Sequence, residues 1–395
     1  MPTKVDVIIF GGGIAGLWVL ARLRQAGYAA ILFESGALGG IQTIAAQGII
    51  HGGTKYALAG KLSDSAQAIG DMPQRWRACL TGEGELDLSK VRVLSPHQYL
   101  WSSEGLGARM TGFFASKLMR SRIDAVAEAD RPELFQTKSF QGSIYRLEEP
   151  VLDVPSLVAE LVRQHGDACF AIPSAGIRLN AQDPGDLKID TASGLLHLQA
   201  QQLVLAAGTG NETLLRQLSR QEPCMQRRPL QMLMVRGQLP ELYAHCLGVS
   251  ANPRLTVTSY PLADGDMVWH LGGQVAESGV GLDEAAHIAA GKAELAALLP
   301  WLKQDNLRWA SRRIDRAELA IPGRKRPDNW CVHSECGLII TWPTKLAFAP
   351  CLAAEVQDYL ERAGVTPTGS AQPELTGLSR PPLAQPPWDK VKTWS

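Results

Sequence analysis

The chain has 395 residues, 45% hydrophobic and 20% charged, an ordinary globular composition with length enough for two cores. Lys+Arg and Asp+Glu balance at 39 each, so no overall field recruits nucleic acid or anionic lipid. No apolar run approaches the roughly 20 residues of a spanning helix, no charged leader precedes residue 5, and seven scattered cysteines suit reduced thiols. A cytoplasmic location is expected; a peripheral position on the inner face of a membrane stays open, because an amphipathic contact can be short.

Residues 5–10 (VDVIIF) are apolar apart from Asp6, as in a parallel strand covered on both faces. Gly11, Gly13 and Gly16 follow as G-x-G-x-x-G, and a helix is expected over Ile14–Gln25, stopped by Gly27. A second strand over 30–33 closes on Glu34. Gly11 permits the tight turn, Gly13 admits a pyrophosphate to the backbone, and Gly16 lets helix and strand pack closely. The helix N-terminus, with Ile14 and Ala15, offers free N–H groups to phosphate. Glu34, about 20 residues on, is placed to accept ribose hydroxyls. These residues point to a dinucleotide; the fingerprint alone does not choose between NAD and FAD.

The next stretch, Gly39-Gly40 through Ile50-His51-Gly52-Gly53 to Lys55-Tyr56, makes the choice. Here the chain resembles the D-amino acid oxidase-like superfamily of flavoproteins, nearest the branch of glycerol-3-phosphate dehydrogenase and L-2-hydroxyglutarate dehydrogenase. That branch carries a small-residue stretch and then I-H-G-G or I-H-A-G beside the flavin ring. Residues 203–212 (LVLAAGTGNE) resemble the superfamily's returning strand and A-A-G turn, Arg236-Gly237-Gln238 its R-G-Q turn, and 337–350 (GLIITWPTKLAFAP) its last strand-to-helix turn.

The resemblance implies FAD as cofactor. It would be held by the fingerprint residues with Glu34 and Ser35, and by Gly40, Thr43, Gln47, Gly48 and Ile49 of the small-residue stretch. Ala207 and Gly208 of the A-A-G turn, and Thr341, Trp342, Thr344, Lys345 and Leu346 of the closing turn, complete the set. The implied fold is α/β: a Rossmann-type FAD-binding domain assembled from segments 1–71, 151–215 and 316–364. An α+β substrate domain with an antiparallel sheet takes 72–150 and 216–315.

The periodicity agrees. A helix is expected over 153–165, short strands from 168 to 203, strands at 232–236, 255–261 and 267–272, and a helix over 282–299. Residues 365–395, rich in Pro, read as an extended, poorly packed extension. Its Trp388 and Trp394 are candidates for docking on a partner, a second copy of the chain, or the protein's own surface. Cys331, His333 and Cys336 fit no metal-binding spacing, and no metal is expected.

The resemblance further implies oxidation of a C–H bond next to a hydroxyl or amine, with hydride passing to flavin N5. The substrate would be a small anion: a 2-hydroxy acid, an amino acid or a polyol phosphate. His51 is the first candidate for proton transfer, or for covalent attachment of the flavin, with Lys55 and Tyr56 beside it. Tyr260, His270 and Arg254 in the expected roof, and Arg312, Arg313, Arg324 and Arg326 near its return, are candidates for holding the anion. Lys345 is a candidate for the N1/O2 edge of the flavin. Two departures bear on the substrate: the glycerol-3-phosphate branch has a long C-terminal cap absent here, and Thr-Trp-Pro-Thr-Lys replaces its G-G-K-hydroxyl turn.

The electron acceptor is oxygen, a quinone or another carrier. Two alternatives stay in view. One is an NAD(P)H-dependent flavin monooxygenase, which would want a G-D-A element where Gly337-Leu338 stands. The other is an FAD-binding subunit with a structural flavin, whose pocket would lack converging His and Arg.

Overall fold

A computed structural model describes residues 1–53, 69–102, 123–173, 175–248, 252–369, 373, 375 and 377–395. The N-terminal apolar run becomes β1 (Thr3–Phe10), whose last six residues are all buried. With β2 (Ala30–Glu34), β8 (Cys169–Ala171), β11 (Gly194–Leu205) and β18 (Leu338–Trp342) it forms a parallel array ordered β18–β11–β1–β2–β8. An antiparallel edge strand, β17 (Cys331–Glu335), completes that order. Asp6, the one polar residue of the run, is buried at the sheet's heart. Its carboxylate accepts from Ala29 N, Gln201 Nε2 and both donors of Thr368, which removes the cost of burying it.

One face of this sheet is covered by α1 (Ile14–Gln25), α2 (Met72–Leu80), α3 (Val154–His165) and α7 (Ala349–Arg362) around a shared apolar cluster. The opposite face buries Ile8, Phe33, Leu203 and Leu338 against Leu214 and Leu215 of α4 (Asn211–Gln217). There β9 (Ile177–Leu179) and β10 (Asp186–Thr191) extend β11 as an antiparallel meander.

The second sheet is the expected roof, and larger than expected. Its order is β16 (Arg308–Leu319), β12 (Met225–Gly237), β15 (Met267–Gly272), β14 (Leu255–Pro261), β13 (Tyr243–Cys246), β4 (Gln98–Ser102), β6 (Ser143–Leu147), β5 (Ile123–Ala125). Every neighbouring pair is antiparallel except β13–β4. One face packs under α6 (Glu284–Leu298) through Leu233, Val235, Trp269 and Trp309. Asp283 caps that helix, accepting from Ala286 N at 2.8 Å. The other face turns Leu230, Met232 and Ile314 inward with Ala276 of the short α5 (Gln274–Ser278).

Stretch 72–150 divides between the two cores. Its first part packs with the nucleotide-binding sheet through Trp76, Leu86 and Val91; the Trp76 indole donates to Ala347 O and its ring lies 4.7 Å from Trp18. Its second part supplies β4, β5 and β6 to the roof, while β3 (Val93–Ser95) pairs with β7 (Val151–Leu152) between them.

The C-terminal segment, expected to be poorly packed, is pinned at several of its described residues from Arg380 onward. Leu38 exchanges backbone hydrogen bonds with Pro382 and Ala384, Arg380 donates to Cys169 O, and Trp388 is buried against Tyr260, with ring centroids 4.2 Å apart. Its last residue, Ser395, exchanges two backbone hydrogen bonds with Trp309 on edge strand β16. The apolar payload of Trp388 outweighs the irregularity that its prolines impose. No helix among the described residues is long and apolar enough to cross a membrane, and none of them form a metal-binding cluster. Burial pushes the Cys331 thiol up to about 11, which keeps it protonated and inert.

Candidate active site

A cavity of about 610 Å³ lies where the carboxyl ends of β1, β2 and β11 face the inner side of the roof sheet. This is where open α/β sheets place their ligands. Three loops and one strand turn build its walls.

The first wall is the glycine turn after β1. Gly11 has φ +109°, and a Cβ there would stand 2.5 Å from Ala206 O; a Cβ on Gly16 would stand 1.9 Å from Gly11 O. These two positions are therefore closed to any side chain. Gly13 opens α1 without a side-chain cap, and Ile14 N donates to Thr43 Oγ1 at 3.0 Å. Ile14, Ala15, Gly13 and Thr43 all line the cavity. Glu34, at the end of β2, accepts from Gly12 N at 2.6 Å and Gly36 N at 2.7 Å, which fixes its carboxylate beside Ser35 at the cavity rim.

The second wall runs from Gly40 to His51. Gly48 has φ +72° and approaches Leu152 O so closely that a Cβ would stand 2.0 Å from it. Ile49 bridges to Val151. Gln47 reaches across the cavity edge, its Nε2 donating to His270 O at 2.8 Å and Thr256 O at 3.4 Å. The small-residue stretch is thereby tied to the roof.

The third wall combines the turn after β11 with the turn after β18. Ala207 and Gly208 line it, and the Trp342 indole donates to Gly208 O at 3.3 Å. Thr344 (φ +56°) and Leu346 line it too. Lys345, also in the wall, sends Nζ to Asp328 O at 3.4 Å and over the Phe348 ring at 4.6 Å. Thr341 is not a lining residue: its hydroxyl donates to Leu205 O and ties β18 to β11. Beside it stands buried Asn211, missed by the sequence reading, whose side chain holds Ala207 N, Leu205 O and Thr341 O together. No spacing rule flags an asparagine at a helix start for that role.

The roof closes the cavity with Leu230, Met232 and Ile314, and with one residue that the sequence reading passed over, Arg316. Its guanidinium donates to Arg228 O at 3.0 Å and Pro229 O at 3.5 Å, and among the described residues it bonds no carboxylate. Arg228 opposite takes the Glu318 carboxylate through two bonds. Burial, with Arg228 and Arg326 nearby, lowers Arg316 to about 9. Arg326 also lines the wall, and its Nη2 lies 3.5 Å from Thr344 O.

His51 also lines the cavity, with Nδ1 3.5 Å from the buried Glu149 carboxylate. Lys55 and Tyr56 lie outside the described residues, and of Arg324 only the backbone, in the turn Pro322–Arg324, is described. Tyr260 and His270 sit on the roof but are not cavity-lining residues. Both pack with Trp388, and burial, with Arg312 secondary, lowers His270 to about 4. Arg254 faces away and is spent on Glu294, and Arg313 pairs with Asp315.

Glycines that leave room for backbone contact, an uncapped helix N-terminus and a fixed carboxylate at the strand end together fit a dinucleotide. Comparison with known proteins specifies which. Residues 6–344 match the family model described as DAO, FAD dependent oxidoreductase. The chain belongs to this FAD-dependent oxidoreductase family. FAD is its cofactor.

The probable FAD-dependent oxidoreductase PA4991 of Pseudomonas aeruginosa is 50% identical over 388 residues, covering 98% of each chain. That protein's crystal structure superposes with a TM-score of 0.85 at 45% identity, again over 98% of each chain. Glycine oxidase from Geobacillus kaustophilus shares the fold at 16% identity, with a TM-score of 0.63 over 93% of this chain and 100% of that one. FAD-bound L-α-glycerophosphate oxidase from Mycoplasma pneumoniae does so at 14% identity, with a TM-score of 0.61 over 91% and 95%.

Proposed function

We propose that this oxidoreductase removes hydride from a carbon bearing a hydroxyl or amino group in a small carboxylate or phosphate substrate. The observation that carries the reading is Arg316, a half-buried guanidinium in the cavity wall whose hydrogen bonds, among the described residues, go to backbone carbonyls and to no carboxylate. Such a group favours an anion placed against it, because a charge-assisted bond there faces little competition from water. The sequence expectation of an anion held by basic residues keeps Arg326 and gains Arg316; Tyr260 and His270 leave the set.

When bound, FAD supplies the two-electron acceptor. Gly11, Gly13, Ile14, Ala15, Gly16, Glu34, Ser35 and Thr43 would hold its ADP half. Gly40, Gln47, Gly48, Ile49, Ala207, Gly208, Trp342, Thr344, Lys345 and Leu346 would hold the remainder, with Thr341 supporting from behind. Arg316 and Arg326 would orient the substrate through its anionic group. His51 would accept the hydroxyl or ammonium proton as hydride leaves. Leu230, Met232 and Ile314 would exclude water from the reacting carbon.

The test is an anaerobic titration of the purified flavoprotein with 2-hydroxy acids, amino acids and glycerol 3-phosphate, followed by absorbance. Bleaching by an anionic member, markedly slowed in Arg316→Gln with flavin still bound, is the expected result. Bleaching only by NAD(P)H would favour a monooxygenase. No bleaching by any reductant of these classes would overturn the proposal.

A further inference from the structure

Behind His51 stands a hydrogen-bonded group of buried side chains. Glu149, in the segment between β6 and β7, is only 4% exposed. Its Oε1 accepts from Gly52 N at 2.7 Å, and its Oε2 accepts from the Gln98 side-chain amide on β4 and faces His51 Nδ1 at 3.5 Å. The His51 ring stacks on His245 of β13, with centroids 5.6 Å apart and planes 19° apart. His245 Nδ1 in turn lies 2.9 Å from Thr256 Oγ1 on β14. Among the described residues, the titratable side chains shown against the ring are Glu149, from the loop after β6, and His245, from the roof.

We infer that Glu149 is a positioning residue for His51, holding the imidazole so that Nδ1 keeps its hydrogen and Nε2 is the nitrogen left to accept a proton. The inference rests on the proposed role of His51. Its chemistry is general: whichever ring nitrogen faces a fixed carboxylate carries the hydrogen, and the other becomes the base. Two further bonds to Glu149, one from the backbone of the turn that carries His51 and one from β4, keep the carboxylate from following the ring. The stack on His245 limits the ring's rotation from its open face. Burial makes the arrangement consequential, because a carboxylate removed from water interacts with a neighbouring imidazole more strongly than an exposed one.

The experiment is nitrogen-detected NMR of ¹⁵N-histidine-labelled flavoprotein, with His51→Ala identifying the His51 signals among eight histidines. The parent is expected to show His51 hydrogenated at Nδ1. Replacing Glu149 by Gln should mix the tautomers and lower the His51 titration midpoint by about one unit or more, the lower end of what an opposite charge at this distance produces. Glu149→Asp should restore part of both. A parent spectrum with the hydrogen on Nε2 overturns the inference without any Glu149 variant, so misfolding of Glu149→Gln cannot shelter it. An unchanged midpoint in a folded, flavin-loaded Glu149→Gln overturns it equally. The role of His51 is read separately: if His51→Ala is reduced by substrate as fast as the parent, the proposed function of His51 fails while the tautomer result stands.

Discussion

The two ends of the cavity are built by different means. At the nucleotide end the backbone does the shaping: Gly11, Gly16 and Gly48 bring main chain against main chain at distances that exclude even a methyl group. At the roof end, side chains from β12 and β16 do it, with Leu230 opposite Ile314 and Arg228 opposite Arg316. Backbone shaping tolerates almost no substitution because it leaves no rotamer to adjust. Side-chain shaping can be retuned residue by residue. On the proposed function, cofactor binding is thus the rigid half of the cavity and substrate choice the adjustable half.

The sharpest way to break that comparison is Gly11→Val. With φ +109° and Ala206 O in the way, the variant should retain little or no FAD, measured as flavin absorbance per protein. Normal flavin content would show that the nucleotide end is as pliable as the roof. At the roof, Arg316→Gln should keep the flavin and lower kcat/KM for an anionic substrate about tenfold to a hundredfold, the range set by losing one charge-assisted hydrogen bond. A neutral analogue of the same substrate should lose far less.

Trp388→Ala should cost about 3 kcal/mol in urea unfolding, as for a large buried aromatic, with flavin content unchanged. This separates the C-terminal segment's structural contribution from both cavity ends.

The smallest effect concerns pH. Above the ordinary histidine range His270 is neutral in both folded and unfolded chains. Between about 6.5 and about 4 the unfolded chain takes up a proton that the buried ring refuses, so stability falls as pH falls through that window. From pH 6.5 to pH 5 the loss should approach about 2 kcal/mol, and His270→Phe should flatten it. A profile unaltered by that substitution would assign the acid sensitivity elsewhere.

The same contrast explains what the sequence revealed. The nucleotide end was legible because its geometry is dictated by neighbours in the chain: three glycines, a helix start and an acid about 20 residues on. The I-H-G-G and A-A-G elements were found by resemblance to a family, and both line the cavity, through His51 and through Ala206, Ala207 and Gly208. The roof was legible in class but not in membership. Arg316 sits in a run, Arg308–Leu319, whose charges hide its strand character; the strand forms because Arg228 and Glu318 neutralise one another across it. Which arginine is left without an acid is a property of cross-strand pairing, not of local spacing. Tyr260 and His270 were rightly read as roof residues, but nothing near them in sequence tells that Trp388 would pack against them. Glu149 escaped notice because it lies nearly a hundred residues from the histidine that it faces.

The order of strands has a consequence for how the protein is made. Within the nucleotide-binding sheet, β11 follows its neighbour β1 by nearly two hundred residues, and β18, beyond β11, comes more than a hundred later still. At ordinary rates of synthesis, about 5–20 residues per second, the residues that line the flavin cavity emerge over tens of seconds. FAD therefore has no complete site to enter until the turn after β18 has been made. In the interval β1 and β2 can pair, while the edge of β1 that β11 later takes stands open.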